Sequence, residues 1–282
     1  MPGMTKTGSD DIRFERDGPR ARLSLSRPDK LNAQTVAMWH HLAALGAELV
    51  HDESIRVMVV AGEGRSFSAG IDTTTFTGPS SDSESSDAPT EAEPFAAPVD
   101  PVAGVRALQA AFEWLEQAPF ITIARVQGHA LGAGMQLALA CDLRICADDV
   151  QMGLLEMNWG LMPDLGGTVW LPRLVGPAAA LELMLRAEKL RGEDLLRLGI
   201  ANRVVPRDEL DAAVEEYVQL VLARPPLAVR GAKRAIREGW GMPTAEGMVS
   251  AAHAQLECMR SDDFGEAARA FVEGRSPNYR GR

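Results

Sequence analysis

Residues 120–146, FITIARVQGHALGAGMQLALACDLRIC, carry the pattern that most clearly predicts a fold class. Residues 120–127 form an apolar run typical of a buried strand, and a turn rich in small residues follows. Residues 134–141 are predicted as a helix, and the short run 143–146 as a further strand. Strands that alternate with helices in this way are typical of an α/β fold with a mostly parallel sheet.

The same alternation continues on both sides of this stretch. Upstream, we predict a half-buried strand at 21–26, an amphipathic helix at 33–50 and a buried strand at 56–61. Further strands and helices are predicted at 102–117 (helix), 150–154 (strand), 169–175, 178–186, 192–198, 208–223, 228–238, 244–259 and 262–273 (helices). We therefore expect an α/β core to about residue 200 and a helical part after it.

One segment breaks this alternation. Residues 74–101 are rich in Ser, Asp, Glu and Pro and have few large apolar side chains. Such a segment buries too little apolar surface to offset its loss of conformational entropy. We predict a mobile insertion here, either a solvated loop or a lid.

Composition excludes several classes of protein. The chain has 282 residues, enough for one large domain with an appendage or two small domains. Its formal net charge of −10 argues against binding to nucleic acid or to an anionic membrane. Three cysteines and an N-terminus without an apolar segment predict a reduced, cytoplasmic protein. No apolar run approaches the ~18 residues needed to cross a bilayer.

Two turns rich in small residues each follow a buried strand. The first turn is at 66–72 (SFSAGID), and the second turn is at 128–134 (GHALGAG). Small residues allow a ligand close to the backbone, and free N–H groups at a helix start stabilise negative charge. A phosphate loop would need Lys-Ser/Thr, and a dinucleotide fingerprint a different glycine order. Tight packing without a ligand remains the alternative. The pair of turns favours two N–H donors that converge on one oxyanion.

Two acids follow these turns. Glu156 has large apolar neighbours in sequence, and Asp164 precedes Gly-Gly-Thr. Burial raises the pKa of a carboxyl group toward the range useful for proton transfer, so the two acids are candidates for acid and base. Alternatively, Asp164 only caps the following helix and Glu156 is a solvated loop acid. The histidines show no metal spacing, and Cys141 and Cys146 lack a second cysteine pair, so no metal is expected.

Several motifs together resemble the enoyl-CoA hydratase/isomerase family, the crotonase superfamily. They are RPDKLNA (27–33), FSAGID (67–72), GHALGAG (128–134) leading to CDLR (141–144), the segment 156–168, RPP (224–226), Lys233 and FVEGRSPNY (271–279). The resemblance implies an α/β, ClpP/crotonase-like spiral of ββα units over 1–200. It also implies a helical trimerisation region over 201–282, in a homotrimer or a dimer of trimers.

The resemblance also implies a ligand and a set of site residues. The ligand is an unsaturated acyl-CoA thioester, with coenzyme A as part of the substrate and no other cofactor. Its carbonyl oxygen would accept from the backbone N–H groups of Ile71 and Ala133, while Glu156 and Asp164 transfer protons. The remaining residues implied to contact substrate or CoA are Lys30, Leu31, Ala33, Ala69, Asp72, Gly134 and Gln136.

Three positions depart from the hydratase pattern. Gln136 stands where hydratases have the first of two glutamates that hold a water molecule, and Glu156 matches the second. Asp164 stands where hydratases commonly have glycine, and an acid there resembles the double-bond isomerases, including dienoyl-CoA isomerases. Thr74 replaces a lysine that aids CoA binding in some members. We expect hydration or double-bond isomerisation; the alternatives are a weakly catalytic acyl-CoA-binding homologue and another chemistry, such as thioester hydrolysis or decarboxylation.

Overall fold

A computed structural model describes residues 5–7, 11–74 and 100–282. Ten strands lie in these residues: β1 Thr5–Thr7, β2 Ile12–Asp17, β3 Arg20–Leu25, β4 Val57–Gly62, β5 Ile121–Val126, β6 His129–Leu131, β7 Leu143–Ala147, β8 Gln151–Gly153, β9 Leu190–Arg191 and β10 Arg203–Val205. The α-helices of the described residues are α1 Val36–Leu49, α2 Pro101–Gln117, α3 Ala133–Ala140, α4 Gly167–Val175, α5 Pro177–Arg186, α6 Gly192–Arg197, α7 Leu210–Leu222, α8 Pro226–Gly239, α9 Thr244–Met259 and α10 Asp262–Glu273. Short 3-10 helices lie at Pro28–Lys30, Glu156–Trp159 and Arg207–Glu209.

The large sheet has the strand order β1-β2-β3-β4-β5-β7-β10. Its first three strands pair antiparallel, and every pairing from β3 to β10 is parallel. A small sheet of order β6-β8-β9 lies beside it, with β6 and β8 parallel. The prediction of a mostly parallel sheet is confirmed.

Both faces of the large sheet are covered, which explains why β4 is buried at all six positions. On one face lie α1, α2 and α3, where Trp39 and Phe112 pack edge to face with ring centroids 6.0 Å apart. Gly46 of α1 is required there, because a Cβ at this position would lie 2.2 Å from the Trp114 ring. The other face packs against apolar side chains of α7, such as Val214 and Val218.

The structure differs from the predicted elements mainly in short strands. In the N-terminal hairpin, the sequence predicts β3 but not β2. Strand β10 lies beyond residue 200, in the part expected to be helical. A strand of three residues is too short to show a period-two pattern, so sequence alone does not reveal it. The predicted insertion at 74–101 lies outside the described residues, apart from its ends.

The C-terminal helices are tied to the core through a buried amine. Lys233 of α8 donates to the main-chain oxygens of Leu115 and Phe120 at 3.0 and 2.9 Å and to Asp142 Oδ2 at 2.8 Å. The Lys233 side chain is 8% exposed, so its ion pair with Asp142 is largely shielded from solvent and holds α8 against the core. Within the described residues, no helix is both long and apolar enough to cross a membrane.

Candidate active site

The two turns predicted to converge do meet. The Ser68 N–H donates to the His129 carbonyl at 2.8 Å, and the Leu131 N–H donates back to the Ser68 carbonyl at 3.0 Å. Gly134, at the start of α3, is packed so closely that a Cβ there would lie 2.5 Å from the Ser68 oxygen. The small residues of both turns are thus required by the close approach of two backbones.

The N–H groups of Ile71 and Ala133 lie in this junction. Within the described residues, neither donates to a main-chain or side-chain acceptor. A Cβ at Gly70 would lie 3.8 Å from the Ala133 nitrogen, so the ends of the two turns are neighbours. Gly132 has φ +51°, a conformation that favours glycine, and it leads directly into the N-terminus of α3.

Glu156 is brought to the same junction by β8. The Gly132 N–H donates to the Gly153 carbonyl at 2.8 Å, which ties the second turn to the end of β8. The 3-10 helix that starts at Glu156 begins three residues after the end of β8. A Cβ at Gly132 would lie 3.3 Å from Glu156 Oε1. The carboxyl group therefore lies alongside the residue that precedes Ala133.

The Glu156 carboxyl has one bonded and one unbonded oxygen. Gln136 Nε2 donates to Oε1 at 2.7 Å, whereas Oε2 is buried and has no partner in the part of the chain that the structure describes. Burial raises the pKa of Glu156 and nearby Asp164 adds to this, although the hydrogen bond from Gln136 acts in the opposite direction. The alternative of a solvated loop acid is wrong.

Asp164 lies in the turn before α4 and is half buried, and this burial raises the pKa of its carboxyl group. Its main-chain oxygen accepts from Gln109 Nε2 at 2.7 Å. The residue at the N-cap of α4 is Gly166, with no side-chain capping bond, and the Gly167 N–H instead donates to Gln136 Oε1 at 2.9 Å. The alternative that Asp164 caps this helix is therefore wrong.

The residues expected to contact CoA lie around the first turn. The Ala69 N–H donates to the Leu31 carbonyl at 2.9 Å, and Arg27 donates to the Ala33 carbonyl at 2.7 Å. Leu31 has φ +51°, an uncommon conformation for a residue with a side chain. Lys30 is exposed at the end of its short helix. The structure brings these positions together, and their contact with CoA stays a prediction.

Asp72 ends the first turn with a well-bonded carboxylate. It pairs with Arg27 at 3.0 Å, and Thr74 Oγ1 donates to it at 2.9 Å. Partial burial would raise the pKa of Asp72, but the bonds from Thr74 and Arg27 outweigh it and hold this pKa below its ordinary value. Asp72 therefore stays ionised and is unsuited to proton transfer near neutral pH.

Sequence reasoning missed Gln34, which organises the first turn. It is fully buried; its Nε2 donates to Ser68 Oγ at 3.0 Å, and its Oε1 accepts from Trp39 Nε1 at 2.8 Å. The Gln34 carbonyl oxygen accepts from the Asp72 N–H at 2.8 Å, and the Gln34 N–H donates to the Gly70 carbonyl at 2.7 Å. These two bonds fix the backbone on both sides of Ile71. No spacing or composition signal marks a single buried amide of this kind.

Two other features of the described residues bear on where the chemistry lies. A cavity of about 560 Å³ opens between α8 and the ends of α3 and α4, but none of the predicted site residues lines it. Among residues 11–74 and 100–282, no group of three or more His, Cys, Asp or Glu side chains could hold a metal ion. The junction of the two turns is therefore the candidate active site.

Comparison with known proteins gives a consistent result. A sequence profile of the family Enoyl-CoA hydratase/isomerase matches residues 103–282. The chain is 32% identical to a carnitinyl-CoA dehydratase of Citrobacter koseri, over 97% of this chain and 100% of that protein. It is 31% identical to a crotonyl-CoA hydratase of Syntrophomonas wolfei, over 96% of this chain and 98% of that protein.

Solved structures agree on the fold. A Thermobifida fusca YX protein in complex with acetoacetyl-CoA has a TM-score of 0.79 and 37% identity, covering 89% of this chain and 95% of that one. An enoyl-CoA hydratase of Bacillus anthracis has a TM-score of 0.83 and 28% identity, covering 96% and 100%. The predicted crotonase-like fold is thereby confirmed. The chain belongs to the enoyl-CoA hydratase/isomerase family.

Proposed function

We propose that this protein acts on unsaturated acyl-CoA thioesters by stabilising an enolate and moving protons with Glu156 and Asp164. The observation that carries the proposal is the position of the Glu156 carboxyl, which lies beside Gly132 with one buried oxygen unbonded in the described residues. A ligand carbon next to a thioester carbonyl at this junction would meet a proton acceptor. Coenzyme A enters as part of the substrate, and the reaction uses no further cofactor or metal.

The N–H groups of Ile71 and Ala133 would hold the thioester oxygen. Charge on this oxygen increases when the substrate becomes an enolate, so two donors aimed at it stabilise the transition state more than the substrate. Both donors belong to the main chain. Substitution of either side chain by one of similar size would therefore leave the interaction in place.

Glu156 and Asp164 would supply the acid and the base. Burial raises the pKa of both groups, so a protonated and an ionised carboxyl can coexist nearer to neutral pH than for exposed acids. General acid–base catalysis is most efficient when the pKa of the group lies near the working pH. One acid removes a proton from a carbon, and the other delivers a proton elsewhere on the acyl chain.

Two reactions use this arrangement, and each has an observation in its favour. Hydration is supported by similarity to proteins named carnitinyl-CoA dehydratase and crotonyl-CoA hydratase. Double-bond isomerisation is supported by the second acid, Asp164, whose raised pKa suits it to deliver a proton. Acyl-CoA binding without turnover and thioester hydrolysis are the alternatives that the experiment below separates.

Binding of CoA would use the edge of the first turn. Lys30 is exposed beside Leu31 and is free to meet a phosphate group, while Ala33, Ala69, Asp72 and Gly134 shape the adjoining backbone. The Thermobifida fusca relative holds acetoacetyl-CoA, which supports a thioester of this kind as ligand. The Thr74 hydroxyl is bonded to Asp72 and supplies no positive charge, so CoA affinity would depend on other cations.

The C-terminal helices would assemble copies of this chain into a trimer or a dimer of trimers. They carry large exposed apolar side chains, an exposure that monomers rarely tolerate: Ile236, Trp240, Met248, Val249, Leu256, Met259, Phe264, Phe271 and Val272. Light scattering after size-exclusion chromatography should give three or six times the chain mass. The cytoplasmic location expected from the cysteine content stays a prediction.

The test of the proposed reaction is incubation with saturated, trans-2, cis-3 and dienoyl-CoA thioesters in deuterated water, with product mass and label position read by mass spectrometry. Hydration adds the mass of D₂O, isomerisation incorporates deuterium from the solvent at carbon without adding water, and hydrolysis releases free CoA. We expect the first or second outcome, and its loss in Glu156→Gln and Asp164→Asn. Binding without any product, or free CoA as the only product, would contradict the proposal.

A further inference from the structure

The carboxamide of Gln136 connects three segments of the site. Gln136 lies on α3 and is 1% exposed. Its Nε2 donates to Glu156 Oε1 at 2.7 Å, and its Oε1 accepts from the Gly167 N–H at 2.9 Å. The side chain thus fixes the acid at one end and the first residue of α4 at the other.

The partners of Gln136 determine which way its carboxamide faces. A main-chain N–H only donates, so the atom that meets Gly167 has to be the carboxamide oxygen. The NH₂ group therefore faces Glu156, and an NH₂ group cannot accept a hydrogen bond. Glu156 Oε1 must be an acceptor in both protonation states. A proton on this carboxyl group has to reside on Oε2, the buried oxygen without a partner in the described residues.

We propose that Gln136 is a positioning residue that makes Glu156 Oε2 the atom that exchanges protons with the substrate and biases the site toward moving a double bond rather than adding water. This inference rests on the proposed function. It restricts the expected substrates to enoyl-CoA or dienoyl-CoA thioesters whose double bond can migrate.

The direct contact between Gln136 and Glu156 disfavours water addition. A water molecule that adds to a double bond must be held between a group that takes its proton and a group that orients its oxygen. At 2.7 Å, no water fits between Gln136 Nε2 and Glu156 Oε1. A glutamate at position 136 could not donate to an ionised Glu156, and the two charges would share a proton or be bridged by water.

Glu156 and Asp164 together can account for every proton and electron pair that moves when the double bond migrates. Glu156 Oε2 takes a proton from a carbon activated by the thioester; the C–H bond breaks, its electron pair forms the new double bond and charge moves to the thioester oxygen. Protonated Asp164 then gives a proton to the distal carbon as the charge returns. After the product leaves, the proton on Glu156 returns to Asp164 within the vacated site, so substrate and product are isomers and no co-reactant is consumed.

The product ratio of hydration to isomerisation tests the inference. We expect Gln136→Glu to shift this ratio toward the hydrated product by at least about tenfold. Gln136→Met should lower kcat by about ten- to a hundredfold with little change in KM, the effect of one hydrogen bond to a charged group. The control is Gln219→Met, an exposed amide on α7, which should behave as wild type. An unchanged ratio in Gln136→Glu, or wild-type kcat in Gln136→Met, would overturn the inference.

A spectroscopic measurement separates this inference from the proposed function, because it needs no turnover. The infrared carbonyl band of protonated Glu156 is identified by its loss in Glu156→Gln. In Gln136→Met this band should move to higher frequency, since its carbonyl oxygen, Oε1, has lost a donor. A wild-type protein that converts none of the thioesters refutes the proposed function, whereas an unmoved band refutes the positioning role of Gln136.

Discussion

Replacement of Glu156 by glutamine changes the chemistry of the site with little change of shape. The new side chain can place its oxygen toward Gln136 Nε2 and so keep the 2.7 Å hydrogen bond. It cannot take a proton from a carbon. Loss of a general base costs about 10²–10⁴-fold, so we expect kcat for enoyl-CoA and dienoyl-CoA substrates to fall by this factor. KM should change little because the N–H groups of Ile71 and Ala133 are untouched.

The same substitution should alter stability in the opposite direction. Burial raises the pKa of Glu156 above its ordinary value of 4.5, so the folded state binds this proton more tightly than the unfolded state. The stability from this proton is fully present below pH ~4.5 and is lost as the pH rises through the folded-state pKa. The Glu156→Gln variant has no carboxyl group at this position, so its free energy of unfolding does not fall in this way. Its free energy of unfolding relative to wild type should therefore increase with pH across that window.

Both effects are measurable on one set of proteins. Steady-state kinetics give kcat and KM, and urea unfolding at a series of pH values gives the free energy of unfolding. Glu193→Gln, an exposed acid on α6, is the matched control and should match wild type in both assays. Wild-type kcat in Glu156→Gln would refute the role of this acid. A stability difference that does not change with pH would refute the assigned burial of its charge.

Three further substitutions follow from the site and its supports. Asp164→Asn should abolish isomerisation but keep exchange of the substrate α-proton with deuterated water, measured by mass spectrometry; loss of both would contradict separate roles for the two acids. Gly132→Ala should cost about 1–3 kcal/mol, because φ is +51°, and lower kcat by displacing Glu156; wild-type values in denaturant and kinetic assays would oppose this. Lys233→Met should cost about 3 kcal/mol by breaking the pair with Asp142, and an unchanged unfolding midpoint would argue otherwise.

Much of the fold follows from local sequence patterns. The buried run predicted at 56–61 is found as Val57–Gly62, and the helix predicted at 244–259 is found with the same bounds. The strand is a continuous apolar run bounded by polar residues, and the helix spans 16 residues, so both give a clear local signal. The small strands β6, β9 and β10 could not be predicted because two or three residues carry no period, and their pairing partners are distant in the chain.

The candidate site was predictable in its composition and only partly in its geometry. Apolar neighbours and the family resemblance pointed to Glu156 and Asp164, and the paired turns pointed to a backbone junction. The two hydrogen bonds that link Gln136 to Glu156 and Gly167 could not be predicted, because they join residues 20 and 31 positions apart in the chain. The organising role of Gln34 likewise depends on contacts that only the folded chain creates.

The proposed mechanism requires that two main-chain N–H groups from separate turns hold one thioester oxygen. A crystal structure with acetoacetyl-CoA bound tests it most directly. We expect the thioester oxygen to lie about 2.7–3.1 Å from the nitrogens of both Ile71 and Ala133, with the adjacent carbon facing Glu156 Oε2. A thioester oxygen that contacts neither nitrogen, or a ligand bound elsewhere on the protein, would contradict it.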